Sequence, residues 1–324
     1  MNIDLTPPSW ATHLLSDLDN WTHAPRPVAE VAPFDVPDDA YFEYAWLDAD
    51  GQPQPDPTNT NPPRNEWWPF ARYLAGPDYE PDPWALVPKR QAPAGRVIRL
   101  RLDSKHLGQQ RHVIVYTPTG HTDQPLPHIV FQDGKAYYGW GKTPQVFDRL
   151  LQADQCGPAH LVFIPPVNRG LEYHLNDAYL AFVLEEVLAA VEERAPCNGR
   201  RTAWGASMGG FCSAELAWRH PLSFQTVVCQ SGAFLFHPGQ RIGDDPHTGR
   251  EWWAERVAQE AWRPVRWHLQ TGTLEWLHRP NENLAAALEA AGYEVHYHQR
   301  TSGHNWTTWR NGLADGFRFA VPRG

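Results

Sequence analysis

"RTAWGASMGGFCSAELAWRHP", residues 201–221, is the stretch on which the reading of the fold turns. "RTAWGAS" is a short apolar run of the kind a buried strand shows, "MGGFCSAELAWRH" has helical composition, and Pro221 stops it. Between the two sits Ser207, with Gly205 and Gly209 two residues away on either side. With 24 glycines in 324 residues, a G-x-S-x-G spacing arises by chance often enough that the pattern alone carries little. A tight glycine turn is the plain alternative. Its place at a strand-to-helix junction is what makes the serine a candidate nucleophile, because such a turn projects the hydroxyl outward in strained geometry and leaves no room for a side chain at either glycine.

Outward from this junction, "RVIRLRL", "RHVIVYTP", "HIVFQDG", "HLVFIPPV", "QTVVCQSG", "VRWHLQTG" and "EVHYHQRT" read as further strands. Helical runs separate the later ones. "NDAYLAFVLEEVLAAVEERA" spaces Tyr179, Phe182, Val183, Leu188 and Val191 for one helix face, and "RPNENLAAALEAAG" ends at Gly292, a C-cap candidate. Strands alternating with helices, several of them continuously apolar, predict an α/β fold with a mostly parallel sheet covered on both faces. The front of the chain differs. "YFEYAWLDADGQ" is a strand running into a turn, the proline-rich "QPDPTNTNPPRNEWWPF" follows, and "GPDYEPDPWALVPKRQAPAG" reads as a linker. Residues 1–88 are therefore expected to form a small N-terminal β-sandwich with its linker, and residues 89–324 an α/β-hydrolase catalytic domain with Ser207 on its strand-to-helix elbow.

A serine hydroxyl is a weak nucleophile until a base takes its proton and a carboxylate orients that base. In this fold class the chain order is serine, acid, histidine. His304, in "TSGHNW", follows the last strand and lies in a loop beside Gly303, so it is the expected base. His220, His237, His247, His268 and His278 compete from helices, a strand or the middle insertion. Glu275, just past the preceding strand in "HLQTGTLEW", is the expected acid, with a surface glutamate as its alternative. An oxyanion hole needs two backbone amides. One is the residue after the serine, Met208; the other is expected from the "FQDGKAYYGW" loop, where Gly134 permits a close turn and Lys135 supplies the amide.

Composition narrows the partners. Lys plus Arg number 28 and Asp plus Glu 37, a net charge of −9 with no basic run, which argues against nucleic acid and anionic membrane as partners. No cationic start precedes an apolar segment, and no run of eighteen apolar residues occurs, so a cytosolic chain is expected. Cys156, Cys197, Cys212 and Cys229 lack metal or redox spacing and read as free thiols. No metal and no other cofactor is expected: His296 and His298 alternate on one side of a strand near His304, without an H-E-x-x-H motif or a carboxylate-rich partner.

Five segments, "FQDGKAYYGW", "NRGLEY", "GASMGG", "QTGTLEW" and "SGHNWTTWR", resemble in order and spacing the family of enterochelin (enterobactin) esterases, which is related to antigen-85 and esterase D type α/β hydrolases. The resemblance covers residue 95 to the C-terminus. It implies a serine carboxylesterase in which Ser207 attacks, the Asp133–Gly134 loop makes half of the oxyanion hole, and the G-G-H-x-x-x-x-W-R segment, here Ser302-Gly303-His304 with Trp309 and Arg310, carries the base. Asn168, Arg169, Glu172 and Tyr173 match an element near the family's site. Asp133, Gly134, Trp140 and Arg169 are the expected substrate-contacting residues, with Arg169 as an anion partner or a structural ion pair. The implied substrate is a small-molecule ester, a catecholate siderophore opened so that its iron is released, for which Lys135, Arg169 and Arg279 would supply local positive charge. Feruloyl or short acyl esters are the second reading, and a non-catalytic glycan-binding or scaffold protein of the same fold is the third. The front segment resembles the early-set β-sandwich of cytosolic siderophore esterases. The glycine usual before "NW" is absent, Ser16-Asp17-Leu18-Asp19 standing there, so a cleft-shaping role for Trp67, Trp68 and Trp84 is expected over glycan binding.

Overall fold

A computed structural model describes residues 1–88, 90–240 and 251–323. Eight strands form the central sheet: β1 (Arg96–Ser104), β2 (Gln109–Thr117), β3 (Leu126–Phe131), β4 (His160–Phe163), β5 (Cys197–Ala206), β6 (Thr226–Gln230), β7 (Arg266–Gly272) and β8 (Val295–Arg300). Their spatial order is 1-2-4-3-5-6-7-8. β3 to β8 run parallel, while β2 pairs antiparallel with β1 and with β4. The mostly parallel sheet expected from the sequence is present, and every strand read after residue 95 falls on one of these eight.

Period-two alternation divides the sheet between two cores. Ala203 and Val227 face a cluster with Phe182, Phe211, Trp253 and Leu284, whereas Trp204 and Val228 face one with Phe147, Trp306, Trp309 and Phe317. Strands buried on both faces must be apolar throughout, and β4 and β6 have no exposed position. The outermost strands β1 and β8 alternate in exposure instead. The helical run after residue 176 is continuous but not uniform: Asp177–Ala181 and Leu188–Glu192 are α-helical, and Phe182–Val187 between them is a π-helix.

The front of the chain builds two small antiparallel sheets. Asn2–Ile3 pairs with Phe34–Asp35, and His13–Ser16, Arg26–Pro27, Tyr41–Leu47, Pro53–Gln54 and Arg72–Ala75 make the second. In the hairpin after Leu47, Asp48 Oδ1 accepts from the amides of Asp50 (3.0 Å) and Gln52 (2.8 Å), fixing the turn. The long strand Tyr41–Leu47 does not stop at its own sheet. Tyr41 N donates to Thr301 O at 2.8 Å, stitching the front segment to the loop after β8. The expected boundary at 88/89 falls at Lys89, outside the described residues. All four cysteines are free, three of them buried. No helix among the described residues is long and apolar enough to cross a membrane.

Candidate active site

β5 delivers Ser207 to the N-terminus of the helix Met208–Arg219, with φ 55° and ψ −124°. Few non-glycine residues tolerate that conformation. The flanking glycines are explained by contact: a Cβ on Gly205 would stand 2.2 Å from the Gly209 carbonyl oxygen, and one on Gly209 would stand 2.7 Å from Asp133 Oδ2. Met208 and Lys135 are the first and second residues of helices Met208–Arg219 and Gly134–Gly139, so their amides are among the four that a helix cannot satisfy itself. In the turn before Lys135 the other amides are engaged, Asp133 N with Tyr173 Oη (2.7 Å) and Gly134 N with Ile164 O (3.0 Å).

At the far side, His304 Nδ1 lies 2.7 Å from Glu275 Oε2. The second oxygen of Glu275 accepts from Gly272 N at 3.1 Å and from the Thr271 hydroxyl. Both side chains are buried, and His304 is held between Trp276 (ring centroids 4.5 Å apart) and the edge-on ring of Trp309 (5.0 Å). A carboxylate on Nδ1 selects the tautomer protonated there and leaves the Nε2 lone pair for a proton acceptor's task.

One cavity of about 1050 Å³ is lined by Ser207, Met208, His304, Lys135, Asp133, Trp140 and Arg169 together. Glu275 and Gly134 stand behind its wall, Arg279 is not part of it, and His220, His268 and His278 do not reach it. His247 lies outside the described residues. Aromatic groups make much of the wall: Trp21, Trp67 and Trp68 from the front segment line it together with Trp140, Phe236 and Trp276. Trp84, expected at the cleft, instead packs beneath Arg149 (5.7 Å) and Arg318 (6.0 Å) away from it.

Arg169 grips both oxygens of Asp133 (Nε–Oδ1 2.7 Å, Nη2–Oδ2 2.9 Å), and its Nη2 also donates to Ala206 O at 3.0 Å. It clamps the Asp133 turn to the end of β5. The neighbouring residues of its motif are similarly occupied. Asn168 caps the helix Arg169–Tyr173, and Glu172 pairs with Arg111 (2.9 Å) and accepts from the Val167 and Asn168 amides. Arg310 holds Trp140 by its carbonyl (2.8 Å), and Trp309 Nε1 donates to Ser231 Oγ (2.9 Å).

One contributor escaped the sequence reading. Asp17, buried in the front segment, accepts from Asn305 Nδ2 (3.1 Å) and from Glu43 N (2.7 Å), and a Cβ on Gly303 would sit 2.0 Å from its Cγ. Burial, reinforced by Glu43, pushes the Asp17 carboxyl well above its ordinary value; burial likewise raises Glu43, to about 7. The only sign in the sequence was Ser16-Asp17-Leu18-Asp19 in place of a glycine.

The strand order, the sharp turn from β5 into a helix and the histidine beyond the last strand define an α/β hydrolase. The chain belongs to the esterase family described as "Putative esterase", whose model matches residues 104–320. It is 27% identical over 295 residues to the iron(III) enterobactin esterase of Dickeya dadantii, covering 82% of this chain and 64% of that protein. To the iron(III) salmochelin esterase of Escherichia coli it is 26% identical over 220 residues, 64% of this chain and 54% of the relative. This chain thus matches less than two thirds of either relative's length. The crystal structure of the enterobactin esterase from Shigella flexneri in the presence of enterobactin superposes with a TM-score of 0.74 at 22% identity, covering 95% of this chain and 88% of that one. At that identity the likeness speaks for the fold, front segment included.

Proposed function

We propose that the chain is a serine carboxylesterase that hydrolyses catecholate siderophore esters of the enterobactin type. The observation that carries the chemistry is the His304–Glu275 pair, buried at 2.7 Å, opening onto the same cavity as Ser207. Ser207 Oγ attacks the ester carbonyl while its proton passes to His304 Nε2; the C–O bond to the leaving alkoxide breaks, and His304 returns the proton to it. Water, deprotonated by the same nitrogen, then attacks the acyl carbonyl; the C–O bond to Ser207 Oγ breaks, His304 returns the proton to Oγ, and the acid leaves. The amides of Met208 and Lys135 receive the oxyanion, and Glu275 holds His304 in its tautomer and stabilises the imidazolium.

Substrate class rests on the cavity and on the relatives. Two curated relatives are esterases of enterobactin and salmochelin. A volume of about 1050 Å³ walled by tryptophans suits several aromatic rings better than a short acyl chain. Lys135 is exposed at this cavity and in no ion pair among the described residues, a suitable contact for an anionic ferric catecholate, whereas the Arg169 charge is balanced by Asp133. Comparing kcat/KM on ferric enterobactin, its linear oligomers, a feruloyl ester and a nitrophenyl ester tests the reading. Preference for the catecholates is expected; a preference for the feruloyl ester would move the assignment to the second substrate class. Failure of a fluorophosphonate probe to label Ser207, with no ester hydrolysed, would remove the catalytic reading altogether.

A further inference from the structure

The sheet edge farthest from β1 carries three histidines that the candidate active site does not use. His296 and His298 lie two apart on β8 and so share one face; His268 on β7 is in register with His296. One ring nitrogen from each lies within 4.8 Å of one from each of the other two. The His268 and His298 rings are 5.1 Å apart, and Phe319 of the terminal helix Leu313–Ala320 closes the base of the group, 5.5 Å from His268 and 4.8 Å from His296.

His268 is the unusual member. It is 1% exposed, yet neither Nδ1 nor Nε2 has a hydrogen-bond partner among the described residues. A buried imidazole ordinarily satisfies at least one nitrogen, so a lone pair left without a donor beside two other imidazoles calls for an electrophile. His296 and His298 are exposed, make no hydrogen bond among the described residues, and lie where a hydrated ion can approach from solvent. The cationic groups nearby have carboxylate partners: Arg300 pairs with Asp315 (2.7 Å), which Arg318 shares (3.2 Å), and Arg266 pairs with Glu294 (2.7 Å).

We propose that His268, His296 and His298 form a binding site for a divalent transition cation of the zinc class, with water completing the coordination. Three neutral imidazoles and one open position are a donor set that suits Zn²⁺ and disfavours Mg²⁺ or Ca²⁺, which want oxygen. A tetrahedral site needs its nitrogens about 3.3 Å apart. The two exposed rings, on an edge strand and unconstrained by hydrogen bonds, can swing inward toward the fixed His268. Sequence spacing grouped His296 and His298 with His304; the fold turns His304 to Glu275 and supplies His268 from the neighbouring strand, a third imidazole that the sequence grouping lacked.

The test is calorimetric titration of ZnCl2 into the full-length, EDTA-treated protein, alongside the His296→Ala/His298→Ala variant. Both substituted positions are exposed, so the variant should fold, with circular dichroism and nitrophenyl ester hydrolysis unchanged. One equivalent of Zn²⁺ is expected to bind the parent chain and raise its Tm, with affinity reduced ~100-fold or more in the variant and MgCl2 without effect. Equal zinc affinity and stoichiometry in parent and variant would assign the binding to other histidines and overturn the proposal, as would no binding by the parent. His268→Phe, which keeps a buried ring, provides a second arm. It should abolish the equivalent too, and retention of full affinity in it would exclude His268 as a ligand.

Discussion

Ser207 holds its strained φ of 55° because what surrounds it permits nothing else: its amide donates to Gln230 O (2.9 Å), and Gly205 and Gly209 let neighbouring backbone and Asp133 close in. Such a conformation costs about 1–3 kcal/mol, which the rest of the fold must offset. Ser207→Ala keeps that backbone and removes only the hydroxyl, so Tm should stay the same while ester turnover falls by ~10⁴–10⁶-fold. His304→Ala should cost a similar factor. Glu275→Gln belongs lower, at ~10²–10⁴-fold, for a reason visible in its contacts. The oxygen that accepts from Gly272 N and Thr271 stays put, so the new amide group faces His304 Nδ1 and donates to it, favouring the tautomer whose Nε2 is no longer a base. Steady-state kinetics on a nitrophenyl ester rank the three. A Glu275→Gln enzyme at the parent rate would show that His304 is oriented by something else.

The loop between β8 and the helix Trp306–Asn311 is the element on which the histidine depends, and the front segment grips it from outside. Tyr41 N binds Thr301 O, Asp17 binds Asn305, and Asp17 presses on Gly303 so closely that Gly303→Ala would drive a methyl into a carboxylate. That substitution should lower stability by about 1–3 kcal/mol and kcat by ~100-fold, since displacing His304 by an ångström is enough. Thermal melts and kinetics on the purified variant check both halves. Beneath the same loop Glu43, accepting from Tyr41 Oη and Asn65 Nδ2 at 2.8 Å each, has its carboxyl raised by burial to about 7. The folded chain then keeps a proton that the unfolded chain has lost, so this group's contribution to stability is full below about 4.5, declines as pH rises to about 7, and is constant beyond. Glu43→Gln mimics the protonated form; its Tm relative to the parent should therefore climb between pH 5 and 7.5 and level off. A difference independent of pH would mean that Glu43 is ionised throughout. These contacts join residues 288 positions apart, as Asp17 and Asn305 are, and no local pattern encodes them. What was legible obeyed local rules: apolar runs for strands, the elbow spacing, the glycine at residue 292 with its φ of 79° after the helix His278–Ala290. The π-helical stretch Phe182–Val187 was not, because its buried residues satisfy an α-helical spacing almost equally well.

At the scale of the whole molecule, the front segment is joined to the catalytic sheet too intimately for removal to report on substrate recognition. Trp67 packs edge-on against Trp306 (5.5 Å) and Trp309 (4.9 Å), and Trp309 in turn abuts His304, so a chain beginning at residue 89 would lose the support of its base along with the cavity wall. A single side chain separates the two roles. Trp68 lines the cavity with one face resting on Trp21, at 5.3 Å and 9° between planes, and touches neither His304 nor the helix Trp306–Asn311 among the ring contacts of the described residues. If catechol rings stack there, each well-placed pair contributes about 0.5–1.5 kcal/mol, equivalent to ~2–12-fold in affinity. Trp68→Ala should accordingly raise KM for ferric enterobactin and its linear oligomers by that factor with kcat little changed, while a nitrophenyl ester, needing only serine, base and oxyanion donors, keeps its kcat/KM within about twofold. Equal losses on both substrates would mean that Trp68 acts through Trp21 and the fold. No loss on either would put the aromatic recognition on the cavity's other rings, Trp140, Phe236 and Trp276, and leave the front segment the task of holding the His304 loop.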